Sequence, residues 1–146
     1  MRYELMFPHQ IREAIAKNIP VVLALGVLEY HGEHLSTGVD TLVITRALDE
    51  LEQDIPMVVF PAFYYGASSY AVAASDSGTI HSDPKLLYPF ALNLFENLLC
   101  VGFKNIHVFV HHQSENFRAG MPTDLSFKLG ARQAIFNFLE RKNGEG

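Results

Sequence analysis

Five consecutive apolar residues, Val21 to Leu25, lead directly into a stretch that is dense in carboxylates and imidazoles. A continuous, β-branched apolar run of this length is typical of a strand that is covered on both faces. The side chains that follow are poor core material, because burying them without partners costs several kcal/mol each. The pattern predicts a parallel sheet with a cation site where this strand ends. The stretch, residues 26 to 40, reads GVLEYHGEHLSTGVD.

The composition fits one globular domain spanning residues 1–146, long enough to bury roughly two thirds of its unfolded surface. The net charge of −5 and the lack of Lys/Arg runs argue against nucleic acid or an anionic membrane as the main partner. No leader pattern or membrane-length apolar run is present, which predicts a cytoplasmic protein. Cys100 stands alone in an apolar stretch, so a disulfide framework is excluded and a buried, inert thiol is expected.

Helix and strand patterns alternate along the chain, which predicts a three-layer α/β/α fold with a mainly parallel sheet. The loop over residues 62–81 is too long for an ordinary connection, so a functional role is expected for it. On the second helix, the apolar spacing places five residues on the inner side: Leu42, Val43, Ala47, Leu48 and Leu51. Helices are predicted over residues 8–18, 40–51, 84–101 and 123–142, and buried strands over 20–26, 56–61 and 105–110.

Two polar clusters follow strands of this predicted sheet, at residues 29–40 and 111–116. Ligands of open parallel sheets bind beyond the carboxyl ends of the strands, so both clusters are expected at one edge. Carboxylates combined with imidazoles favour zinc, manganese or iron over calcium. The alternative interpretation is a solvated polar turn followed by a helix cap at Asp40. The predicted metal ligands are Glu29, His31, Asp40 and Glu115, with Asp40 placed to bridge two ions.

At these residues the sequence resembles the creatininase (creatinine amidohydrolase) family. The family's first motif, approximately G-x-x-E-Q-H-G-x-H-L-x-x-x-x-D, is matched in register from Gly26 to Asp40, except that a Tyr replaces its Gln. Its second motif, N-G-H-Y-E-N or N-G-H-G-G-N, corresponds to HHQSEN at residues 111–116. Between them, PAFYYG at residues 61–66 resembles the family's P-x-x-x-Y-G segment, and SGTI at residues 77–80 resembles its P-G-T-x step.

The resemblance implies a hydrolase that cleaves a small, non-peptide and cyclic amide by metal-activated water. It also implies a binuclear metal centre and a homo-oligomer, namely a hexamer built of dimers. The family's metal ligands map onto the four residues named above, and they imply one or two ions of zinc or manganese, with iron also compatible. Candidate substrate contacts are Tyr65, Gly78, Thr79 and Asn116, for which core packing, a simple turn or loop support are the alternatives.

Two departures from the family pattern leave the function open. The second-motif histidine, a metal ligand in the family, falls on Gln113, whose amide oxygen is a weak zinc ligand. His112 is its candidate replacement, and His34 is a candidate for hydrogen bonding around the metal. Family members are longer, and nothing here matches the catalytic His and Glu of their C-terminal part, which the fold is expected to lack. No catalytic residue is assigned, and a non-catalytic metal- or small-molecule-binding protein is the alternative to an amidohydrolase.

Overall fold

The computed structural model describes residues 1–68, 76–112 and 120–144. After a short 3-10 turn at Tyr3–Leu5, helices and strands alternate much as the sequence predicts. The predicted bounds agree with the observed ones to within about two residues at most ends. The elements are α1 (Pro8–Ala16), β1 (Val21–Leu25), α2 (Val39–Leu51), β2 (Val58–Val59), α3 (Pro84–Val101), β3 (Ile106–Val110) and α4 (Thr123–Gly144).

The three strands form a parallel sheet in the order β2-β1-β3. β1 is therefore the central strand, and all five of its residues are buried. β2 is only two residues long, shorter than the predicted 56–61, since prolines at both ends of that segment cannot donate to a strand ladder. The parallel α/β architecture predicted from the alternating pattern is confirmed.

Two apolar layers cover the opposite faces of the sheet. Alternate residues of β1 point to opposite faces, so Val21, Leu23 and Leu25 pack with α1, α3 and α4. Val22 and Ala24 face the other way, toward a smaller cluster that α2 completes. The result is the predicted three-layer α/β/α arrangement, with β1 at its centre.

Local sequence signals set both ends of α3. The carboxylate of Asp83 accepts a hydrogen bond from the backbone N–H of Lys85 at 3.0 Å, and Pro84 occupies the first helical position. Gly102 ends the helix in the left-handed conformation, with φ of 117°, which costs glycine little. The predicted bounds of this helix are confirmed at both ends.

The inner side of α2 differs from the prediction. Only one narrow stripe is buried, formed by Ile44 and Leu48 together with Asp40 and Thr41 in the first turn. The helix begins at Val39 after Gly38, so Asp40 is inside it rather than at its cap. The helix packs on the sheet along that stripe. Successive residues of an α-helix are about 100° apart around its axis, so the neighbours of the stripe residues face outward. Of the five predicted inner residues only Leu48 is buried, and the exposed ones are Leu42, Val43, Ala47 and Leu51.

β3 is also less buried than predicted. It pairs with β1 on one side, and no second neighbouring strand lies beside it among the described residues. Val108 and Phe109 are consequently 36% and 47% exposed. Cys100, predicted to be buried, is exposed on α3. Among the residues that the structure describes, no helix combines the length and the apolarity that a bilayer crossing requires.

Candidate metal centre

Two segments that are distant in sequence meet where β1 and β3 end. These strands pair in parallel along their whole length, so the residues that follow them emerge at the same edge of the sheet. Glu29 and His31 follow β1, Asp40 lies in the first turn of α2, and His112 follows β3. The structure brings these four side chains together.

Glu29, His31 and Asp40 form a compact group. One potential ligand atom from each residue lies within 4.8 Å of the other two. Nε2 of His31 is 3.0 Å from Oδ1 of Asp40 and 3.9 Å from Oε2 of Glu29. Both carboxylates are buried and the imidazole is partly exposed. One side of the group is thus closed by the protein and the other is reachable by a small molecule.

The ring of His31 is held in one orientation by the backbone. Its Nδ1 lies 2.9 Å from the carbonyl oxygen of Glu29. The oxygens beside both ring nitrogens, the Glu29 carbonyl and the Asp40 carboxylate, can only accept. With an ion at Nε2, the ring proton would be on Nδ1 and would be donated to the carbonyl, which is the arrangement that metal-binding histidines usually show.

His112 approaches the same carboxylates from the β3 side. Its Nδ1 is 2.9 Å from Oδ2 of Asp40 and 3.5 Å from Oε2 of Glu29. Its Nε2 lies 2.9 Å from the backbone carbonyl oxygen of Ala67. The two oxygens of Asp40 are therefore each approached by a different imidazole, since Oδ1 faces His31.

This set of side chains fits a divalent transition-metal ion. Two buried carboxylates no more than 4.8 Å apart repel each other by roughly 3 kcal/mol at an effective dielectric near 20. A cation removes that repulsion, and mixed oxygen and imidazole ligands suit zinc, manganese or iron. Two ligand atoms that each lie about 2.1 Å from one ion are about 3.0–3.4 Å apart. The distances of 3.0 and 3.9 Å from Nε2 of His31 to the two carboxylates are close to this range.

Two glycines let the backbone close around the centre. A Cβ on Gly26 would lie 2.1 Å from Oγ1 of Thr41, which is next to Asp40. A Cβ on Gly66 would lie 2.5 Å from the carbonyl oxygen of Gly26 and 2.8 Å from Oγ1 of Thr123. Only glycine allows these segments to approach so closely. The first residue after β1 therefore fixes how near α2, and with it Asp40, can lie.

An open cavity of about 400 Å³ adjoins the group. Its walls combine Glu29, His31 and Asp40 with Val110, His111 and His112 from the β3 side. A cavity of this size is within the usual range for sites that bind small molecules. His111 is an exposed residue of this lining.

The other predicted site residues are distributed around this centre or lie outside the described part of the chain. His34 is exposed and outside the compact group. Tyr65 is 59% exposed and contacts Phe63 edge to face. Gly78 has φ of 73°, so only glycine is unstrained there. Three of the predicted site residues lie outside the described part of the chain, namely Gln113, Glu115 and Asn116.

The segment around Thr79 lies directly against the first motif. Oγ1 of Thr79 accepts a hydrogen bond from the backbone N–H of Tyr30 at 3.0 Å, and the N–H of Ile80 donates to the carbonyl of Leu28 at 2.9 Å. These two bonds attach Thr79 and Ile80 to the backbone of the residues that directly follow and precede Glu29. The Tyr30 hydroxyl also donates to Glu33, and that bond together with the charge of Glu33 raises the pKa of Tyr30.

Sequence reasoning missed one polar pair near the centre. The backbone N–H of Ser68 donates to Nδ1 of His81 at 3.2 Å, and Oγ of Ser68 lies 3.0 Å from the same nitrogen. Ser68 directly follows Ala67, whose carbonyl contacts His112. Nothing in the local sequence of His81 signals a partner thirteen residues away.

A sequence model of the creatininase family, described as creatinine amidohydrolase, matches residues 4–121. The chain belongs to the creatininase family. The matched region contains β1 to β3 and every described residue of the metal centre. A comparison with curated proteins finds no match.

Solved creatininase structures share the fold. A creatininase with manganese and a mutant in a zinc–zinc form superpose with TM-scores of 0.75 and 0.74, each at 20% identity. A mutant creatininase complexed with creatine gives 0.75 at 21% identity. Each comparison covers 93% of this chain and 53% of the solved one. The chain thus has the creatininase fold and spans about half the length of these relatives.

Proposed function

We propose that this protein is a metal-dependent amidohydrolase in which Glu29, His31 and Asp40 hold a divalent ion. The observation that carries the proposal is the gathering of two buried carboxylates and an oriented imidazole within 4.8 Å. This group lies at the carboxyl edge of the sheet, where ligands of such folds bind. Membership of the creatininase family supports the same chemistry.

Zinc and manganese are the ions that we expect. The mixture of carboxylate and imidazole ligands suits both, and related structures are described as manganese and zinc–zinc forms. When bound, such an ion supplies an activated water near neutral pH and polarises a carbonyl. We also retain Glu115 as a predicted ligand, which lies outside the described residues.

The residues of the chain position what binds. The backbone carbonyl of Glu29 orients the ring of His31, so that Nε2 is the nitrogen that faces Asp40 and would bind the ion. The two oxygens of Asp40 face different imidazoles, which places this carboxylate between two potential ligand sets. His111 at the rim of the cavity offers a ring nitrogen to a substrate amide.

We infer that the substrate is a small, cyclic or otherwise non-peptide amide. The cavity of about 400 Å³ is polar and open, which suits a compact polar molecule better than a peptide chain. A related structure is complexed with creatine. Gly78 and Thr79, on a segment held against Tyr30, also stay predicted substrate contacts. Tyr65 and Asn116 stay predictions as further contacts.

The test begins with the metal. The purified protein is depleted with a chelator, reloaded with zinc or manganese, and analysed for bound metal. Glu29→Gln is expected to abolish retention. Glu33→Gln is the matched control, because Glu33 is an exposed carboxylate in the same loop that lies outside the compact group. A wild-type protein that takes up no ion would overturn the proposal.

Turnover is then measured on creatinine and on other small cyclic and linear amides, with and without each metal. The expected result is metal-dependent hydrolysis of at least one of them that Glu29→Gln abolishes. Retained metal without turnover on any amide would favour a second function, a non-catalytic metal- or small-molecule-binding protein. That alternative is motivated by Gln113, which occupies the position of the family's second-motif histidine.

We further propose a homo-oligomer, as the family resemblance implies. The outer surface of α4 supports an association of this kind, because Ile135, Phe136 and Leu139 are about half exposed at 51%, 48% and 49%. Light scattering of the purified protein measures its mass directly. A monomer at micromolar concentration would overturn this part of the proposal.

A further inference from the structure

The position of the imidazole after β3 does not follow the family register. That register places the second-motif histidine on Gln113. In the structure, the imidazole that reaches the carboxylates belongs to the preceding residue, His112. The imidazole in the site is therefore supplied one position earlier than the family register indicates.

We propose that His112 is a metal ligand and that it binds through Nδ1, beside the carboxylates of Asp40 and Glu29. This inference rests on the proposed function, because it assumes that the centre binds a divalent ion. It goes further in naming the residue that replaces the second-motif histidine and the ring nitrogen that it uses.

The distances support a shared ion. Nδ1 of His112 lies 2.9 Å from Oδ2 of Asp40 and 3.5 Å from Oε2 of Glu29. Ligand atoms bound to one zinc ion are typically separated by about 3.0–3.4 Å, so only small shifts are needed. Nε2 of His31 approaches the other oxygen of Asp40. The carboxylate of Asp40 therefore lies between the two imidazoles, and both histidines would hold metal on its side of the site.

The backbone selects Nδ1 as the binding nitrogen. Nε2 of His112 lies 2.9 Å from the carbonyl oxygen of Ala67, so with an ion at Nδ1 the ring proton would be on Nε2 and would be donated to that carbonyl. His31 shows the reverse arrangement, with Nδ1 donating to a carbonyl and Nε2 facing Asp40. The two histidines would thus bind through different nitrogens.

The ring of His112 is fixed on several sides. Its side chain is only 3% exposed. Ala67, which accepts from Nε2, is itself held by a hydrogen bond from its N–H to Oγ1 of Thr123 at 2.9 Å. Thr123 begins α4 and is fully buried. Such outer hydrogen bonds orient metal-binding histidines and raise their affinity.

The proposal is tested by exchanging the two neighbouring residues. Zinc and manganese binding to chelator-treated protein is measured by calorimetry and elemental analysis in four proteins: wild type, His112→Gln, Gln113→Ala and the double exchange His112→Gln/Gln113→His. The expected result is that His112→Gln weakens binding by at least about tenfold or halves the stoichiometry. Gln113→Ala should leave both unchanged, and the double exchange should not restore them.

Several outcomes would overturn the inference while leaving the proposed function intact. Unchanged metal binding in His112→Gln would do so, as would loss of metal in Gln113→Ala or recovery in the double exchange. Absence of metal from the wild type would instead overturn the proposed function itself. The two failures are therefore distinguishable in one set of measurements.

A second measurement covers the case in which His112→Gln does not fold. Wild-type protein labelled with ¹⁵N-histidine is titrated with zinc, and the ring nitrogens are followed by long-range ¹H–¹⁵N correlation. The His112 signals are expected to show a protonated Nε2 throughout and a zinc-dependent shift of Nδ1. A zinc-dependent shift of Nε2, or of neither nitrogen, would overturn the assignment.

Discussion

Nε2 of His112 lies 2.9 Å from the backbone carbonyl oxygen of Ala67, although 45 residues separate the two in sequence. This hydrogen bond connects the segment after β3 to the loop after β2. The N–H of Ala67 in turn donates to Thr123 at the start of α4. A continuous line of hydrogen bonds therefore runs from a buried helix end to the carboxylates of the metal centre.

Thr123→Val is expected to weaken metal binding without touching a ligand. Valine has nearly the shape of threonine but cannot accept from the N–H of Ala67, so the carbonyl that orients His112 loses its support. The free energy of unfolding should fall by about 1–3 kcal/mol and metal affinity by up to about tenfold. Calorimetry with zinc measures the affinity, and urea denaturation measures the stability.

Ser126→Ala is the matched control for Thr123→Val. Ser126 is equally buried in the same first part of α4, but its hydroxyl donates to the carbonyl of Met121 instead. This variant should lose stability and keep its metal affinity. Equal loss of metal affinity in both variants would show that the effect comes from general destabilisation and not from the connection to His112.

Metal binding is expected to stabilise the fold strongly. An ion present at about one hundred times its dissociation constant adds about 2.7 kcal/mol, which for a chain of this size raises Tm by about 5–10 °C. Differential scanning calorimetry of chelator-treated protein, with and without zinc or manganese, measures the shift. Glu29→Gln should show little or none, and an equal shift in that variant would place the ion elsewhere.

Gly26→Ala is expected to destabilise the protein and to displace Asp40. The added Cβ would lie 2.1 Å from Oγ1 and 2.9 Å from the backbone nitrogen of Thr41, so the start of α2 must move. Crowding of this kind costs about 1–3 kcal/mol. Thermal unfolding and zinc titration should both report the change. Gly144→Ala, where no atom lies within 4 Å, serves as control and should leave both unchanged.

The contact between the N-terminal segment and α2 is expected to depend on pH. The guanidinium of Arg2 lies 3.0 Å from Oε1 of Glu52 and also contacts Asp49. Partial burial raises the pKa of Glu52, but the hydrogen bond and charge of Arg2 outweigh it, and the pKa is lowered overall. The resulting stabilisation is therefore complete above the usual glutamate pKa of about 4.3 and is lost as the pH falls through the lowered value.

Arg2→Ala tests this pH dependence. It should reduce the free energy of unfolding by about 1 kcal/mol near pH 7, and the difference from wild type should shrink in strong acid. Urea denaturation at a series of pH values measures both. Arg46→Ala removes an exposed pair with Glu50 on the same helix and should cost only a few tenths of a kcal/mol. A difference that stays constant from pH 7 to pH 2 would contradict the assignment.

Much of the fold could be predicted from sequence signals that act over only a few residues. The bounds of α3 follow from Asp83, Pro84 and Gly102, whose effects are local capping and backbone preference. The apolar run of β1 and the acidic and imidazole residues after it likewise identified a buried strand and the candidate metal residues. Each of these inferences depends on neighbours in sequence, which a single chain displays directly.

Which residues of α2 and β3 are buried depends on how these elements pack against distant parts of the chain. The sequence of α2 shows apolar residues on several sides, and only its approach to the sheet selected Ile44 and Leu48 for burial. β3 reads as a buried strand, yet its position beside β1 with no second neighbour among the described residues leaves Val108 and Phe109 exposed. Burial depends on where an element lies in the sheet, and composition alone does not carry that information.

By itself, the sequence determined the alternating parallel architecture, the family resemblance, and a set of carboxylates and imidazoles at the ends of two strands. Only the tertiary structure decided that His112 reaches Asp40 and that the carbonyl of Ala67 orients its ring. The reason is geometric. Asp40 and Ala67, two hydrogen-bond partners of His112, lie 72 and 45 residues away in sequence, so no local signal shows which side chain after β3 will reach them.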